Sequence, residues 1–482
     1  MNAPALSLSF AVAQAPPARR TGWITILWPA LLLLLVIACV SPSGFVGAGY
    51  DDARYLEAAQ CAAREAAMCV PANHWATRWT VVAPVAAVIR LAGESRAAFS
   101  LVPLLYALAC IVAAAALARR LGGPLAARIA ALALAATPLF TRSWLAPNVD
   151  RAELLFLLLS ALALLRARHA PRWSLLAGAL FALAVASRPS AIAWGPLLAP
   201  LALVGPGAVR RVASAALGGL AVFGAELAAY AWWTGDPFFH LRLALAHTAI
   251  PTSELPRGFP RGESPLFNPR YVDAWTPAMG ISVHWAVDPL LNLLLHPLLG
   301  WTLLGSAALA SVARLPRRGL MIAAAFASFA ILAYALAIDP KPRMFMPLGA
   351  VAAIATGLAG AKLWRRGQVL PVVALLTVGA TVALGTAVRD PDLRAADRVA
   401  TAWLAAHGPH RIHPNDARAL LLVPAAFRPA PPHAPTLGFR QRPCAKGIPG
   451  PHMRVLDEAV IPSSLDRLRG PAPDALRLCR WG

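Results

Sequence analysis

The sequence predicts an all-α polytopic membrane protein, because of its composition, its long apolar runs and the placement of its charges. Of the 482 residues, 58% are hydrophobic and 14% are charged, whereas soluble domains are roughly 45–50% apolar and about 25% charged. A formal net charge of +22 would suggest nucleic-acid binding in a soluble protein. Here the basic residues gather in short turns between apolar runs, which indicates membrane topology instead.

Eleven apolar runs predict a bundle of about 11 transmembrane helices. The first run, 23–40, has no A-x-A-like cleavage site soon after it, so we expect an uncleaved span rather than a signal peptide. Some runs are shorter than the about 20 residues that a bilayer crossing needs, so their boundaries are loose. The later runs lie near 97–118, 124–140, 152–166, 174–187, 190–204, 212–233, 289–313, 319–338, 345–361 and 369–388.

The charges of the short loops predict a cytoplasmic N-terminus. The high Arg and Ala content with little Lys suggests a GC-rich bacterium, so we expect the inner (plasma) membrane of a bacterium. With residues 1–22 as a cytoplasmic tail, every short inner loop carries Arg or Lys and none carries Asp or Glu, as the positive-inside rule expects. An odd number of spans then places the segment 389–482 outside, as a small periplasmic domain or tail, with helices expected near Asp392–His407 and Ser463–Leu468. The inner basic groups are Arg19-Arg20, Arg119-Arg120, Arg166/Arg168/Arg172, Arg210-Arg211, Arg314/Arg317/Arg318 and Lys362/Arg365/Arg366.

Within the membrane domain 23–388, two long outer loops, 41–96 and 234–288, indicate that the functional site faces outward. A protein that only packs helices would not need them, since most connections are short. The first loop contains two amphipathic segments, Asp52–Ala67 and Trp79–Leu91, of a kind that lies in the membrane interface.

Two adjacent carboxylates, Asp51 and Asp52, follow the first span in the stretch Gly47–Glu57. Like charges beside hydrocarbon cost energy, and burial would raise at least one of their pKa values, so they are candidates for a functional site. The alternative is a solvated helix start, where Asp is favourable in the cap and first turn. The sequence alone leaves both interpretations open.

The ordered motifs of residues 23–390 resemble the polytopic glycosyltransferases of the GT-C superfamily. The most similar branch is the protein-mannosyltransferase and aminoarabinose-transferase-like group (glycosyltransferase family 39/83, RgtA/B/C/D-like domain). Each motif is weak alone, but their order and common side make the set more specific. The motifs are Asp51-Asp52 with Arg54-Tyr55, Gly93 before the second span, Pro138, Pro147-Asn148-Val149-Asp150-Arg151-Ala152-Glu153, Ser187-Arg188-Pro189, Thr234-Gly235-Asp236-Pro237 and Lys341-Pro342-Arg343-Met344-Phe345-Met346-Pro347.

The resemblance implies a GT-C type fold and an inverting transfer of a sugar from a polyprenyl-phosphate donor to an acceptor on the periplasmic face. Asp51 matches the catalytic Asp of the family and would act as general base. Asp52 would orient the acceptor or couple to the proton of Asp51. Residues expected to bind the donor phosphate or substrate are Arg78, Arg188, Lys341, Arg343, Asp150, Glu153 and His74.

Each of these roles has a plainer alternative. The basic residues also suit snorkelling toward lipid headgroups, and Asp150 and Glu153 also suit the cap of the fourth helix. Glu226, inside the seventh span, favours a hydrogen bond within the bundle over catalysis. Aromatic residues near the outer boundaries are explained first by an interfacial belt; they are Trp75, Trp79, Trp232, Trp233 and Trp285.

No cofactor is predicted, although a divalent metal stays an alternative. The outer histidines His74, His240, His247 and His284 offer imidazoles beside Asp51 and Asp52, but their spacing carries no ligand signature.

The cysteines suggest two disulfides on the oxidising side, Cys61–Cys69 and Cys444–Cys479, with free thiols as the alternative.

The expected partners are a polyprenyl-phosphate sugar, a glycan, glycolipid or protein acceptor, and the lipid bilayer, without nucleic acid. Two other function classes remain open. A transporter or flippase of lipid-linked sugars is disfavoured because the acidic residues gather at one surface and no inverted repeat is visible. A non-catalytic membrane scaffold is disfavoured because Asp51 and the outer basic residues are all present.

Overall fold

The computed structural model describes most of the membrane part of the chain and pieces of its C-terminal part. The described residues are 22–40, 50–65, 74–142, 144–167, 170, 172–203, 205–248, 288–316, 318–335, 342–389, 393–408, 411–412, 435–440, 443–447, 452–461, 463 and 476–482.

Seventeen α-helices and four β-strands form from these residues. The helices are α1 (Trp23–Val40), α2 (Tyr50–Glu65), α3 (Trp79–Ala92), α4 (Arg96–Gly122), α5 (Pro124–Ala135), α6 (Pro138–Thr141), α7 (Val149–Ala167), α8 (Arg172–Ser187), α9 (Gly195–Leu203), α10 (Ala208–Thr234), α11 (Phe239–Thr248), α12 (Asp288–Leu295), α13 (Gly300–Val312), α14 (Arg318–Ala330), α15 (Met346–Trp364), α16 (Leu370–Ala387) and α17 (Leu393–His407). Short 3₁₀ turns, Pro189–Trp194 and Pro342–Phe345, precede α9 and α15, and a π-turn, Ile331–Ala335, extends α14.

Every predicted apolar run coincides with one of these helices or with a neighbouring pair, so the all-α polytopic fold class is confirmed for the membrane part of the chain. In the described part, six helices are long and apolar enough to cross a membrane by length and composition. The pair α12–α13, bent by 82°, would make a seventh. The expected total of about 11 spans requires the shorter helices to cross as well, and it stays a prediction.

The core of the bundle surrounds α15, whose span is 89% buried, whereas the span of α1 is only 22% buried. Small residues allow the central helices to approach closely, as is typical in membranes. A Cβ on Gly357 of α15 would lie 2.5 Å from the carbonyl oxygen of Ala126 on α5. Large apolar side chains such as Ile24 and Leu220 are exposed on outer helices, where lipid would surround them.

The two amphipathic segments of the first long loop are helices, α2 and α3, as predicted. The apolar face expected for α2 is buried at Tyr55, Leu56 and Ala59, and it packs in one cluster with Val82 and Val85 of α3. Glu57 and Arg64 lie off that face and are exposed. This packing fixes the start of α2, and therefore its two Asp residues, against the bundle.

The basic turns gather at the end of the bundle opposite α2. Arg119 at the end of α4 lies over the ring of Trp23 at the start of α1, 5.0 Å from its centre. Lys362 at the end of α15 donates to the carbonyl of Arg314, at 3.1 Å. One end is therefore basic, as the sequence predicts, while the side of the membrane that it faces stays a prediction.

The C-terminal part contains a helix and a sheet, of which the sequence predicted only the helix. The strands β1 (Arg411–Ile412), β2 (Thr436–Arg440), β3 (Val455–Ile461) and β4 (Leu476–Trp481) form one sheet in the order β1-β2-β4-β3. The predicted Cys444–Cys479 disulfide is present and joins β4 to the turn after β2. A helix expected near Ser463–Leu468 falls almost wholly outside the described residues. Cys69 also lies outside them, so the Cys61–Cys69 pair stays a prediction.

Candidate active site

Asp51 lies in the first turn of α2 and is held by groups from two distant parts of the chain. One carboxylate oxygen pairs with the guanidinium of Arg343, in the 3₁₀ turn before α15. The other accepts a hydrogen bond from the indole N–H of Trp75 at 3.0 Å. Both contacts stabilise the charged form of the carboxylate. Asp51 therefore lies at a helix start, as the plainer alternative expected, and is also held there by two side chains from other parts of the chain.

Asp52, the next residue, is in a different environment. Its side chain is 3% exposed and accepts a hydrogen bond from the amide of Asn148 at 3.0 Å. Burial raises the pKa of Asp52 from its ordinary 3.8 to about 7, while the nearby Arg343 opposes the rise and the nearby Asp51 adds to it. Adjacent carboxylates with such different surroundings can hold different protonation states at neutral pH.

Arg188 forms ion pairs with the acidic residues at the start of α7. Its guanidinium pairs with Asp150 and with Glu153, the latter at 3.1 Å. Trp194 also donates its indole N–H to Glu153 at 2.9 Å. The cap of α7 is Asn148, whose side chain accepts from the backbone N–H of Asp150 at 2.8 Å. Asp150 and Glu153 are thus ion-pair partners and not the cap of the helix.

Tyr55 lies between the groups around Asp51 and those around Arg188. Its phenol is 5% exposed, and it lies within electrostatic range of Asp51, Arg78, Arg188 and Arg343. Burial, followed by the charge of Asp51, raises the pKa of Tyr55, so the phenol stays protonated at neutral pH. A neutral hydroxyl therefore lies within electrostatic range of several charged side chains.

Arg78 forms the other side of the cluster, in the turn before α3. It is 7% exposed, and its Nη1 lies 2.5 Å from Nε2 of His240 on α11. Nδ1 of the same imidazole lies 2.6 Å from a carboxylate oxygen of Glu226 on α10. Burial lowers the pKa values of both Arg78 and His240. The hydrogen bond expected for Glu226 within the bundle is therefore present, and it leads to the site.

An apolar cavity of about 560 Å³ runs between α7, α8, α9 and α10 and reaches this cluster. Most of its wall is formed by Ala, Leu, Val, Gly and Phe residues. Its polar lining is confined to Ser160 and, at the end near Arg78, to Glu226, Tyr230 and His240. The site thus joins a long apolar pocket to a group of arginines and carboxylates, an arrangement that suits a ligand with a lipid tail and a charged head.

Of the residues predicted for the site, the structure brings together Asp51, Asp52, Arg78, Arg188, Arg343, Asp150 and Glu153. His74 is buried nearby and packs on Trp75, with ring centres 3.8 Å apart. Lys341 and His284 lie outside the described residues, and so does the side chain of His247. Within the described residues, no group of three or more His, Cys, Asp or Glu side chains is arranged to hold a metal ion.

Sequence reasoning missed four contributors to the site. Tyr55 belongs to the Arg54-Tyr55 motif and to the apolar face of α2, but nothing in the sequence assigned it a role in the site. Trp75 was assigned to an interfacial belt, but it donates to Asp51. Asn148 and Trp194 gave no signal of their own, except that Asn two residues before Asp150 suits a helix cap.

The fold and the site together define a polytopic membrane protein with arginines and carboxylates clustered near one end of an apolar cavity. Residues 81–233 match the model of the dolichyl-phosphate-mannose-protein mannosyltransferase family. This range starts in α3 and ends in α10, so it includes Asp150, Glu153 and Arg188 but not Asp51 or Arg343. No curated protein sequence matches the chain.

Solved structures are similar in fold at low sequence identity. The crystal structure of ArnT from Cupriavidus metallidurans bound to undecaprenyl phosphate has a TM-score of 0.52 and 14% identity, over 96% of this chain and 98% of that one. The apo state of the same ArnT has a TM-score of 0.47 and 14% identity, over 95% and 97%. The archaeal oligosaccharyltransferase AglB from Archaeoglobus fulgidus, in complex with an inhibitory peptide and a dolichol-phosphate, has a TM-score of 0.47 and 13% identity, over 85% and 61%.

The resemblance to GT-C glycosyltransferases that the sequence motifs indicated is therefore confirmed, as is the multi-pass membrane fold. The matched family consists of glycosyltransferases, which supports a transferase.

Proposed function

We propose that the protein is a membrane glycosyltransferase that moves a hexose or pentose from a polyprenyl-phosphate donor to an acceptor on the periplasmic face of a bacterial inner membrane. The observation that carries this proposal is the position of Asp51. Its carboxylate pairs with Arg343, and Tyr55 lies within electrostatic range of Asp51, Arg343, Arg188 and Arg78. Arg78 in turn contacts His240, which lines the polar end of an apolar cavity. Such a site offers a base, cations for a phosphate and a pocket for a lipid chain.

The cavity and Arg78 support a lipid-linked donor. A pocket of about 560 Å³ with apolar walls suits part of a prenyl chain, whose phosphate would then lie at the end formed by His240 and Tyr230. Arg78 is at that end, and guanidinium groups bind phosphate oxygens through charge-assisted hydrogen bonds. A water-soluble nucleotide sugar would leave the apolar wall without a partner.

The chemistry assigned to the site is one displacement at the anomeric carbon. Asp51 accepts the proton of the acceptor hydroxyl while the acceptor oxygen bonds to the anomeric carbon and the bond from that carbon to the phosphate oxygen breaks. Polyprenyl phosphate leaves with the electron pair of that bond. One in-line displacement inverts the anomeric configuration, and Asp52 orients the acceptor.

Arginines stabilise the charge that develops on the leaving phosphate. Arg343 suits this role because its Nε–H is buried and has no acceptor among the described residues. Arg188 lies near Arg343 but is paired with two carboxylates, so we assign it a smaller share of phosphate binding and a larger share of site geometry. Lys341, in the same stretch of sequence as Arg343, remains a candidate for the same phosphate.

The test is the full chain in proteoliposomes with a panel of radiolabelled polyprenyl-phosphate sugars and mixed glycan, glycolipid and peptide acceptors. We expect the label of at least one donor to leave its lipid, either to an acceptor or to water. Label that crosses the bilayer still attached to its lipid would contradict the proposal in favour of a flippase. A protein that consumes none of the donors would contradict it in favour of a non-catalytic scaffold.

A further inference from the structure

The guanidinium of Arg78 is held by a histidine whose protonation can be assigned from geometry. Nη1 of Arg78 lies 2.5 Å from Nε2 of His240, and a guanidinium nitrogen only donates. Nε2 must therefore accept, and the single ring proton of the imidazole lies on Nδ1. That proton is donated to Glu226, 2.6 Å away. The three side chains form an ordered chain from a carboxylate through a neutral imidazole to a cation.

Neighbouring contacts hold this chain in place. The indole of Trp79 donates to the same oxygen of Glu226 at 3.2 Å. The hydroxyl of Tyr230 donates to the carbonyl of Thr77, beside Arg78, at 3.0 Å. These contacts tie α10 and α11 to the turn before α3, so a change at Glu226 or His240 is transmitted to the position of Arg78.

The positive charge of Arg78 has no carboxylate beside it in this chain of contacts. Its contact is the neutral ring of His240, and Glu226 is one side chain further away. Among the described residues, the other groups with the largest electrostatic effect on Arg78 are Tyr55, Arg188 and Tyr230. Two of them are neutral phenols and the third is another cation. A guanidinium that is 7% exposed and compensated only at a distance favours an anionic ligand.

Glu226, Tyr230 and His240 also line the polar end of the apolar cavity. The groups that orient Arg78 are therefore the groups that a lipid chain in the cavity would contact. This places the cation next to the end of the pocket, where the head of a lipid ligand emerges.

We propose that Glu226 and His240 are positioning residues that hold the Arg78 guanidinium at the polar end of the cavity, so that it binds the phosphate of a polyprenyl phosphate. This inference rests on the proposed function, because it assigns the phosphate of that donor to Arg78. It requires His240 to be neutral. A protonated His240 would present an N–H to Arg78 in place of an acceptor and would repel it.

We expect lipid binding to weaken at acidic pH because His240 becomes protonated. This loss of affinity is called the acid limb of the binding profile. The titratable or charged groups facing this imidazole are Glu226 and Tyr230 on α10 and Arg78 before α3. Burial lowers the pKa of His240 below its ordinary 6.5. The imidazole therefore accepts from Arg78 while the pH is above this lowered pKa. It becomes protonated and stops accepting as the pH falls below it. Affinity for polyprenyl phosphate should therefore drop on the acidic side of about pH 6.5.

The test measures equilibrium binding of radiolabelled undecaprenyl phosphate to the full chain in nanodiscs from about pH 5 to about pH 8. The variants are His240→Leu, Glu226→Leu and His240→Gln, and the matched control is Arg242→Gln. Arg242 lies on the same helix as His240 but pairs with Asp236 and is 66% exposed. Thermal unfolding without lipid is recorded for every variant, so that general destabilisation is seen separately.

We expect His240→Leu and Glu226→Leu to weaken binding by about tenfold or more at pH 7.5, the scale of a lost charge-assisted hydrogen bond. Arg242→Gln should bind as the wild type does. His240→Gln should keep most of the affinity, because the amide oxygen can accept from Arg78 and the amide nitrogen can donate to Glu226. It should also lose the acid limb, because an amide does not titrate. The titration of the lipid phosphate itself is common to all variants and cancels in the comparison.

Failure of the inference and failure of the proposed function are distinguishable. Wild-type protein that binds undecaprenyl phosphate no better than the uncharged polyprenol would overturn the proposed function. If the wild type binds undecaprenyl phosphate and both Leu variants bind it equally well, only the positioning role is overturned. The same holds if His240→Gln loses affinity at acidic pH as the wild type does. If His240→Leu does not fold, Glu226→Leu and the pH profile of His240→Gln decide the question.

Discussion

Arg343 and Asp51 form an ion pair although 292 residues separate them in the chain. The pair joins the first turn of the interfacial helix α2 to the turn that precedes the central helix α15. The carboxylate that we propose as the base is thus fixed to the start of the most buried candidate span in the described part of the chain. A donor phosphate that engaged Arg343 would compete for this guanidinium and leave Asp51 free to accept a proton.

Replacing Arg343 with Met should lower sugar transfer by about 100-fold or more, because one cation for the leaving phosphate is lost. The Michaelis constant for the donor should also rise. The measurement is the initial rate of label transfer at several donor concentrations. Arg366→Met, an exposed residue at the opposite, basic end of the bundle, serves as the matched control and should leave both constants unchanged. Equal losses in the two variants would contradict the assignment of Arg343.

The stability contributed by Asp52 should fall as the pH rises from about 4 to about 7. The pKa of Asp52 is raised from 3.8 in the unfolded chain to about 7 in the fold, so the folded protein holds a proton that the unfolded chain releases in this range. Stability is therefore lost with rising pH. Asp52→Asn removes this loss and should raise the unfolding midpoint at pH 8, by the equivalent of up to about 4 kcal/mol, but not at pH 4. A stability gain that does not depend on pH would argue against a buried, protonated Asp52.

Arg188 should be needed for stability and for transfer, and the two needs can be separated. Arg188→Met leaves the buried Asp150 and Glu153 without their cation, which should cost about 3–5 kcal/mol of stability. Adding Asp150→Asn and Glu153→Gln removes the unpaired charges and should restore much of the unfolding midpoint. Transfer should stay low in the triple variant. If transfer returns with stability, the role of Arg188 is purely structural.

Two glycines of α10 offer a matched test of how α10 packs on α8, the two helices that line one side of the cavity. A Cβ on Gly218 would lie 1.9 Å from the carbonyl oxygen of Leu175 on α8, whereas a Cβ on Gly224 would meet nothing within 4 Å. Gly218→Ala should force α8 and α10 apart, lower stability by about 1–3 kcal/mol and weaken lipid binding. Gly224→Ala should be neutral or slightly stabilising, because Ala favours a helix over Gly by about 1 kcal/mol. Similar unfolding midpoints for both variants would contradict this packing.

The membrane fold could be predicted from the sequence because spans and interfacial helices are encoded locally. Apolar runs predict the bundle helices. The helical spacing of Tyr55, Leu56 and Ala59 predicts the buried face of α2. Several candidate site residues could also be named, since unusual carboxylates and cations at span ends stand out in an apolar chain.

Pairings between distant residues could not be predicted, because they depend on tertiary packing. Nothing near Asp51 in sequence indicates Arg343 as its partner, and nothing near Arg78 indicates His240. The four-stranded C-terminal sheet was missed for a related reason. Its strands are short and separated by Pro-rich stretches, and one of its pairings, β1 with β2, joins residues 411–412 to 436–437.

The most direct test of the account is the transfer rate of Asp51→Asn beside Glu57→Gln. Both residues lie on α2, but Glu57 is exposed and pairs only with Arg54 among the contacts of the described chain. We predict that Asp51→Asn folds, still binds undecaprenyl phosphate and transfers sugar about 10²–10⁴-fold more slowly, whereas Glu57→Gln matches the wild type. Transfer by Asp51→Asn at the rate of the wild type would contradict Asp51 as the base and, with it, the proposed mechanism.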